Sequence, residues 1–145
     1  MEYDRFRVRS PIKSFRDLEV YQKTIQLSNQ ITSLDFLNDS SFIEEKKELK
    51  ELAEKIPRLL AESYGDRFDS KELASKKLTL SVTLITNIIT RIDILRDRFT
   101  EQKEIKEVLD GLLVKYSYQK RKILNLRKAW SRVFSNERNA TKTTK

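Results

Sequence analysis

The sequence predicts an all-α protein, an antiparallel up-down four-helix bundle with a long basic C-terminal helix and a mobile tail. Three observations carry that expectation. Only two Gly and two Pro (Pro11, Pro57, Gly65, Gly111) interrupt the 145 residues, too few for the turns of a sandwich or barrel. Charged residues make up 36% and hydrophobic ones 38% of the chain, a balance that suits amphipathic helices and not disorder. Four segments repeat apolar residues at spacings of three, four and seven, the period of a helix with one buried face. A chain of this length fills one domain with one core. It divides into a basic arm over 1–14, a bundle over 15–135 and a flexible basic tail over 136–145.

The first helix is expected to start after Ser14, where Asp17 and Glu19 sit in the opening turn and meet the positive end of the helix dipole. Leu18, Tyr21 and Ile25 form one apolar row and Val20, Leu27, Ile31 and Leu34 another, so the helix should reach Leu34 or Leu37. Ser41 followed by Glu44 matches a capping box and predicts the start of the second helix. Leu49, Leu52, Ala53, Ile56, Leu59 and Leu60 form its core stripe. Pro57 removes a backbone donor inside it and predicts a kink near Ala53, and Gly65 suits a left-handed C-terminal position.

The third helix is expected after Asp69 or Ser70, with Glu72 in its first turn. Leu78, Leu80, Val82 and Leu84 alternate as a strand would, but the run continues through Ile85, Ile88, Ile89, Ile92 and Leu95 at helical spacing. One helix with a broad apolar arc, central in its bundle, accounts for both patterns, and burial on more than one face would suit an oligomer. Thr100, with Glu101 and Glu104 after it, signals the start of the fourth helix. That helix carries Ile105, Val108, Leu109, Leu112, Leu113, Tyr116, Ile123, Leu126, Trp130, Val133 and Phe134, and Gly111 weakens it locally.

The chain has no Cys and no His. Disulfides, thiolate nucleophiles, Cys-ligated zinc and imidazole acid–base chemistry are therefore excluded. The acids Glu44, Glu45, Glu48 and Glu51 alternate with Lys46, Lys47 and Lys50 at helical spacing, which reads as surface ion pairs. The expectation is a protein that is not an enzyme and uses no cofactor and no metal. Residues 1–14 lack the apolar core of a secretory signal. The longest uncharged run, Leu78 to Thr90, spans thirteen residues, short for a bilayer. Those readings predict a cytoplasmic protein with no membrane partner.

Charge is distributed unevenly. Lys115, Lys120, Arg121, Lys122, Arg127, Lys128, Arg132, Arg138, Lys142 and Lys145 face one acid, Glu137, in the last thirty-one residues. The remainder of the chain is nearly balanced. A solvated helix face ordinarily mixes signs, whereas a one-sided line of cations suits phosphates, whose neutralisation releases condensed counterions. Lys115, Lys120, Arg121, Lys122, Arg127, Lys128, Arg132 and Arg138 are the candidate nucleic-acid-binding residues. Arg5, Arg7, Arg9 and Arg16 form a second candidate cluster. Among the interleaved aromatics, Tyr116 and Trp130 fall on the apolar stripe and are expected in the core or a subunit interface. Tyr118 falls off the stripe and is freer to stack on a base.

Two stretches are more specific than the periodicity around them. Phe15-Arg16-Asp17-Leu18-Glu19-Val20-Tyr21-Gln22-Lys23 resembles the opening of the small four-helix-bundle proteins encoded in intervening sequences of bacterial large-subunit ribosomal RNA genes. Ile56-Pro57-Arg58-Leu59-Leu60-Ala61-Glu62-Ser63-Tyr64-Gly65-Asp66-Arg67 resembles the segment that ends the second helix in that family. The chain departs from the family pattern at Leu59, where Asn is usual, at Ser63, where Gly is usual, and at Ser81-Val82-Thr83, where Gly-Ser is usual. The resemblance covers roughly Phe15 to Leu113 and implies a bundle that assembles as a homopentamer.

One branch of that family, the accessory protein of diversity-generating retroelements, binds nucleic acid through a basic surface and works with a reverse transcriptase. The basic C-terminal segment places this chain nearer that branch on charge alone. The expected function is a non-catalytic, homo-oligomeric accessory protein that binds RNA or DNA, with a reverse transcriptase as its partner enzyme. The alternative is an oligomeric scaffold of the ribosomal-intervening-sequence type, binding an acidic protein and no nucleic acid. Glu62, in the family-like segment, is expected to play a structural part, capping or pairing with Arg67 or with an adjacent subunit.

Overall fold

The computed structural model describes residues 14–143, with side-chain surroundings as far as residue 132. Four helices make up the fold: α1 (Glu19–Thr32), α2 (Ile43–Asp66), α3 (Lys71–Arg96) and α4 (Lys103–Thr143). Short 3-10 turns at Phe15–Asp17, Asp35–Leu37 and Asp97–Phe99 precede or join them, and no strand occurs among the described residues. Each helix packs on the next, and α4 returns to α1. The alternating stretch from Leu78 to Leu84 is helical, because continued burial at Ala74, Leu78, Ser81, Ile85, Ile88, Ile92 and Leu95 follows the helical period.

The core is aliphatic. Leu27 and Ile31 of α1, Leu49, Ile56 and Leu60 of α2, Ile85, Ile88 and Ile92 of α3, and Leu109, Leu112 and Ile123 of α4 are buried together. An aromatic cluster closes one end, where the Phe99 ring lies 5.4 Å from Phe36 and 5.1 Å from Phe42. Buried Ser63 and Ser81 keep close helix contacts without stranding a polar atom, as each hydroxyl donates back into its own helix, to the Leu60 and Lys77 carbonyls.

Several helix ends differ from their sequence signals, each for a local reason. Helix α1 stops at Thr32 and gives way to the 3-10 turn that carries buried Leu37. Helix α2 begins at Ile43 with Phe42 in the capping position, because the Asp39 carboxylate accepts from the Ser41 N–H at 3.1 Å and holds Ser41 in the preceding turn. No capping box forms. The helix runs unbroken past buried Pro57. Gly65 lies within it, and no described residue has a positive φ. Arg67 closes this end instead: its guanidinium donates to the Tyr64 carbonyl and lies 3.5 Å from the Tyr64 ring centroid and 4.2 Å from that of Phe68.

Ser70 caps α3 as expected, its hydroxyl accepting from the Leu73 N–H at 3.3 Å. Thr100 does not cap α4. Burial of Phe99 holds that stretch in a 3-10 turn, and the helix starts at Lys103. At its other end α4 continues to Thr143, so no helix end separates a tail over 136–145 from the bundle. Past Gly111 the sequence contains no Gly or Pro, and each added residue gains a backbone hydrogen bond once the helix exists.

By length and composition, the stretch Lys71–Phe99 is apolar enough to cross a bilayer, with a mean hydropathy of 1.5 over its most apolar window. That is more than its thirteen-residue uncharged run suggested, since only Arg91 and Asp93 interrupt the stretch from Leu78 to Leu95. A central bundle helix has the same composition, and the buried face of α3 packs between α2 and α4.

Candidate nucleic-acid interface

From Lys115 to Arg132 helix α4 carries seven bases and no acid. The buried side of this stretch is set by Leu112, Tyr116, Gln119 and Ile123, with Leu126 and Trp130 partly buried against the same core. At about 100° per residue, Arg121, Lys128 and Arg132 fall opposite that stripe, in line with Val114, Tyr118 and Asn125, and all three bases are exposed. Lys120 and Arg127 fall on the flank facing α3, where the Arg127 guanidinium donates to the Thr79 hydroxyl at 3.0 Å. Lys115 and Lys122 fall on the flank facing α1, where the Lys115 ammonium donates to the Gln30 side-chain oxygen at 3.4 Å.

The one-sided line of cations read from the sequence is therefore three strips. They wrap the solvent side of α4 and reach onto both neighbouring helices. Arg138 lies within α4, but its side chain is outside the described residues, as are Arg5, Arg7 and Arg9. Arg16 is exposed and lies 4.8 Å from the Phe15 ring centroid. Along α1 and α4 the facing residues run in opposite order: Asn29 and Leu34 border Glu107 and Leu112, whereas Lys23 and Gln26 border Tyr118 and Gln119. The start of α1, with Arg16, thus lies toward the basic half of α4.

None of the seven bases makes an ion pair with a described acid, while Lys77, Arg91, Arg96 and Arg98 on the α3 side do. Lys77 meets Asp66 at 2.6 Å and Glu62 at 3.8 Å. Arg91 meets Glu48, Arg98 meets Glu45 at 3.2 Å, and Arg96 meets Asp110 at 2.7 Å and Asp93 at 2.9 Å. The hydrogen bonds that Lys77 donates to Asp66 and Arg96 donates to Asp110 hold both bases above their ordinary pKa. Glu62 is bound to Lys77, and Arg67, its expected partner, is engaged with Tyr64 and Phe68. Glu45 and Glu48 form ion pairs, but with Arg98 and Arg91 from the α3 side and not with the interleaved lysines of their own helix that the spacing suggested. Among the described residues no group of three or more acids is placed to hold a metal.

Tyr116 and Trp130 belong to the core side as the apolar stripe implies, and Tyr118 is 46% exposed. The Lys122 ammonium lies 5.2 Å from the Tyr118 ring centroid. The Tyr116 hydroxyl is buried without a partner among the described residues, and burial pushes its ionisation well above the usual phenol range. Sequence reasoning missed Lys23, Gln26, Gln30 and Gln119, which meet across the α1–α4 groove. Gln119 carried a signal, a polar side chain three residues after Tyr116 and four before Ile123, on the apolar stripe itself. No protein-family model matches this chain, and no curated protein or solved structure matches it either.

Proposed function

We propose that this chain is a non-catalytic nucleic-acid-binding protein that works as a homo-oligomer. The observation that carries the reading is the run from Lys115 to Arg132: seven cations on a rigid helix, with no described acid paired to any of them. Unpaired cations at helical spacing present a continuous positive field, and a polyphosphate is the ligand whose charge spacing fits a line rather than a point. The exposed outer face of α3 supports assembly. From Thr79 to Thr90 it presents Thr, Leu and Asn without a charge, and Leu73, Leu80 and Ile94 extend it with 42%, 46% and 61% of their surface open. Copies joined there would gather several basic helices into one field. The resemblance of the segments at Phe15 and Ile56 adds a partner enzyme, a reverse transcriptase of a diversity-generating retroelement.

Binding of mixed-sequence RNA and DNA oligonucleotides across a salt series tests the reading. A protomer that neutralises about four phosphates of a single strand loses roughly 50-fold in affinity between about 50 and 200 mM salt. No binding at low salt, or an affinity indifferent to salt, would overturn it and favour the scaffold that takes an acidic protein.

A further inference from the structure

Helices α1 and α4 do not close on each other along their whole length. Between them lies an open groove of about 460 Å³, bordered by Lys23, Gln26, Leu27 and Gln30 of α1 and by Val114, Lys115, Tyr118 and Gln119 of α4, a volume within the range of small-ligand sites. Leu27 and Val114 give it an apolar floor and rim, and its polar groups are of three kinds. Three carboxamides, two ammonium groups and one aromatic ring converge, and Lys122 adds a third ammonium beside that ring. No acid borders this stretch.

Gln119 is the informative member. It is only 4% exposed, and its side-chain oxygen has no hydrogen-bond partner among the described residues. Buried amides are ordinarily satisfied, because an unpaired one loses its hydration and gains nothing in return. An orphaned acceptor enclosed at the wall of this groove is a group that a ligand donor would complete through a turn of the Gln119 side chain. Carboxamides offer both donors and acceptors, a Tyr ring offers a stacking face, and ammonium groups offer phosphate contacts. A nucleotide supplies a partner for each kind of group at once: a hydrogen-bonding base edge for the carboxamides, a flat face for the ring and a phosphate for the ammonium groups.

Resting on the nucleic-acid reading above, we propose that this groove takes one unpaired nucleotide of a single strand. The base stacks on Tyr118, its edge bonds to the amides of Gln119 and Gln30, and the flanking phosphates lie on Lys23, Lys115 and Lys122. A base locked in a duplex cannot reach these groups, so the groove confers a preference for single strands.

The experiment compares the full chain on a fluorescent single-stranded 12-mer, on an abasic 12-mer of equal charge, and on a free mononucleotide. The expected result is about tenfold tighter binding to the strand with bases than to the abasic strand, the scale of one stacked base, and much weaker binding of the mononucleotide. Tyr118→Ala should bring the two strands to parity with the salt slope unchanged, and Tyr118→Phe should keep the ratio. Because Tyr118 is half-exposed, both variants should retain the wild-type circular dichroism. Equal affinity for both strands in the wild type, or a ratio untouched by Tyr118→Ala, overturns the groove while leaving the basic surface standing. A mononucleotide bound as tightly as the 12-mer overturns the strand proposal in favour of a free-nucleotide site. Absence of binding to every strand at low salt overturns the nucleic-acid reading itself.

Discussion

Helix α3 and the second half of α4 both carry Lys and Arg at helical spacing, and they dispose of the charge in opposite ways. On the α3 side Lys77, Arg91, Arg96 and Arg98 each meet a carboxylate of another helix. From Lys115 to Arg132 no base meets a described carboxylate, and two of the seven, Lys115 and Arg127, meet neutral oxygens. The first set holds the helices together through its charge, whereas the second touches the neighbouring helices only at Lys115 and Arg127 and leaves its charge uncompensated by any described acid. Stability and charge display are thereby separated, so the display can change without loosening the bundle.

The sharpest way to break that contrast is to reverse the unpaired set. Changing Arg121, Lys122, Arg127 and Lys128 to Glu should lower affinity for RNA or DNA by roughly 100-fold or more at low salt, since four phosphate contacts become repulsions. Circular dichroism and the thermal midpoint should hardly move. Reversing Glu45 and Glu48 to Lys should do the opposite, lowering the thermal midpoint while binding persists. Survival of binding in the first variant, measured by fluorescence anisotropy, would move the interface away from α4.

The contrast also requires that the basic half of α4 be anchored. Ile123 is fully buried and is the last buried residue of the described part of α4. Ile123→Ala should cost about 2–5 kcal/mol in urea unfolding, the range for removing a buried aliphatic side chain, and Leu126→Ala, at a partly buried position, should cost less. A loss below about 1 kcal/mol at Ile123 would mean that the basic stretch is not docked on the bundle.

An unpaired group inside the protein behaves differently from an unpaired cation outside it. Arg121 and Lys128 are open to water, but the enclosed Tyr116 hydroxyl has no partner among the described residues. Tyr116→Phe should therefore stabilise the bundle by about 1 kcal/mol. Its pKa is raised by burial, so the folded state holds this proton more tightly than the unfolded chain. That contribution is fully present below the ordinary phenol value near 10 and is lost as pH rises above it. Urea midpoints at about pH 8 and pH 10.5 should fall less for the Phe variant than for the wild type. An equal fall would assign the alkaline loss to other groups, Lys77 first among them.

The four helices were legible because burial follows apolar spacing closely, as at Ile85, Ile88 and Ile92. Their ends were less so. Ser41 looks like a cap until Asp39 takes its N–H, and Gly65 looks like a terminator until Arg67 folds back onto Tyr64 and Phe68. Both outcomes depend on side chains competing for one backbone group, which spacing does not encode. The excess of cations on α4 was visible as composition, but its division among three strips depended on where α1 and α3 lie. The groove was hidden for the same reason, as Gln119 gains meaning only when Lys23, Gln26 and Gln30 are brought beside it.

The smallest effect concerns the paired set itself. Arg91 and Glu48 join α3 to α2 with 41% and 51% of their side chains exposed, so solvent screens most of their attraction. A double-mutant cycle with Arg91→Ala and Glu48→Ala should return a coupling of about 0.2–1 kcal/mol that shrinks as salt is raised. The same cycle on Arg127 and Thr79, a charged donor on a neutral acceptor, should return a coupling that salt leaves nearly unchanged. The two pairs thus differ in what they ask of the charge. Arg91 works by being neutralised, and Arg127 keeps its charge available while its position is fixed. If the Arg127 pair proved as salt-sensitive as the Arg91 pair, an acid would have to be compensating Arg127 in solution. The separation between a charge used by the fold and a charge held out for a ligand would then fail on the α3 flank of the basic helix.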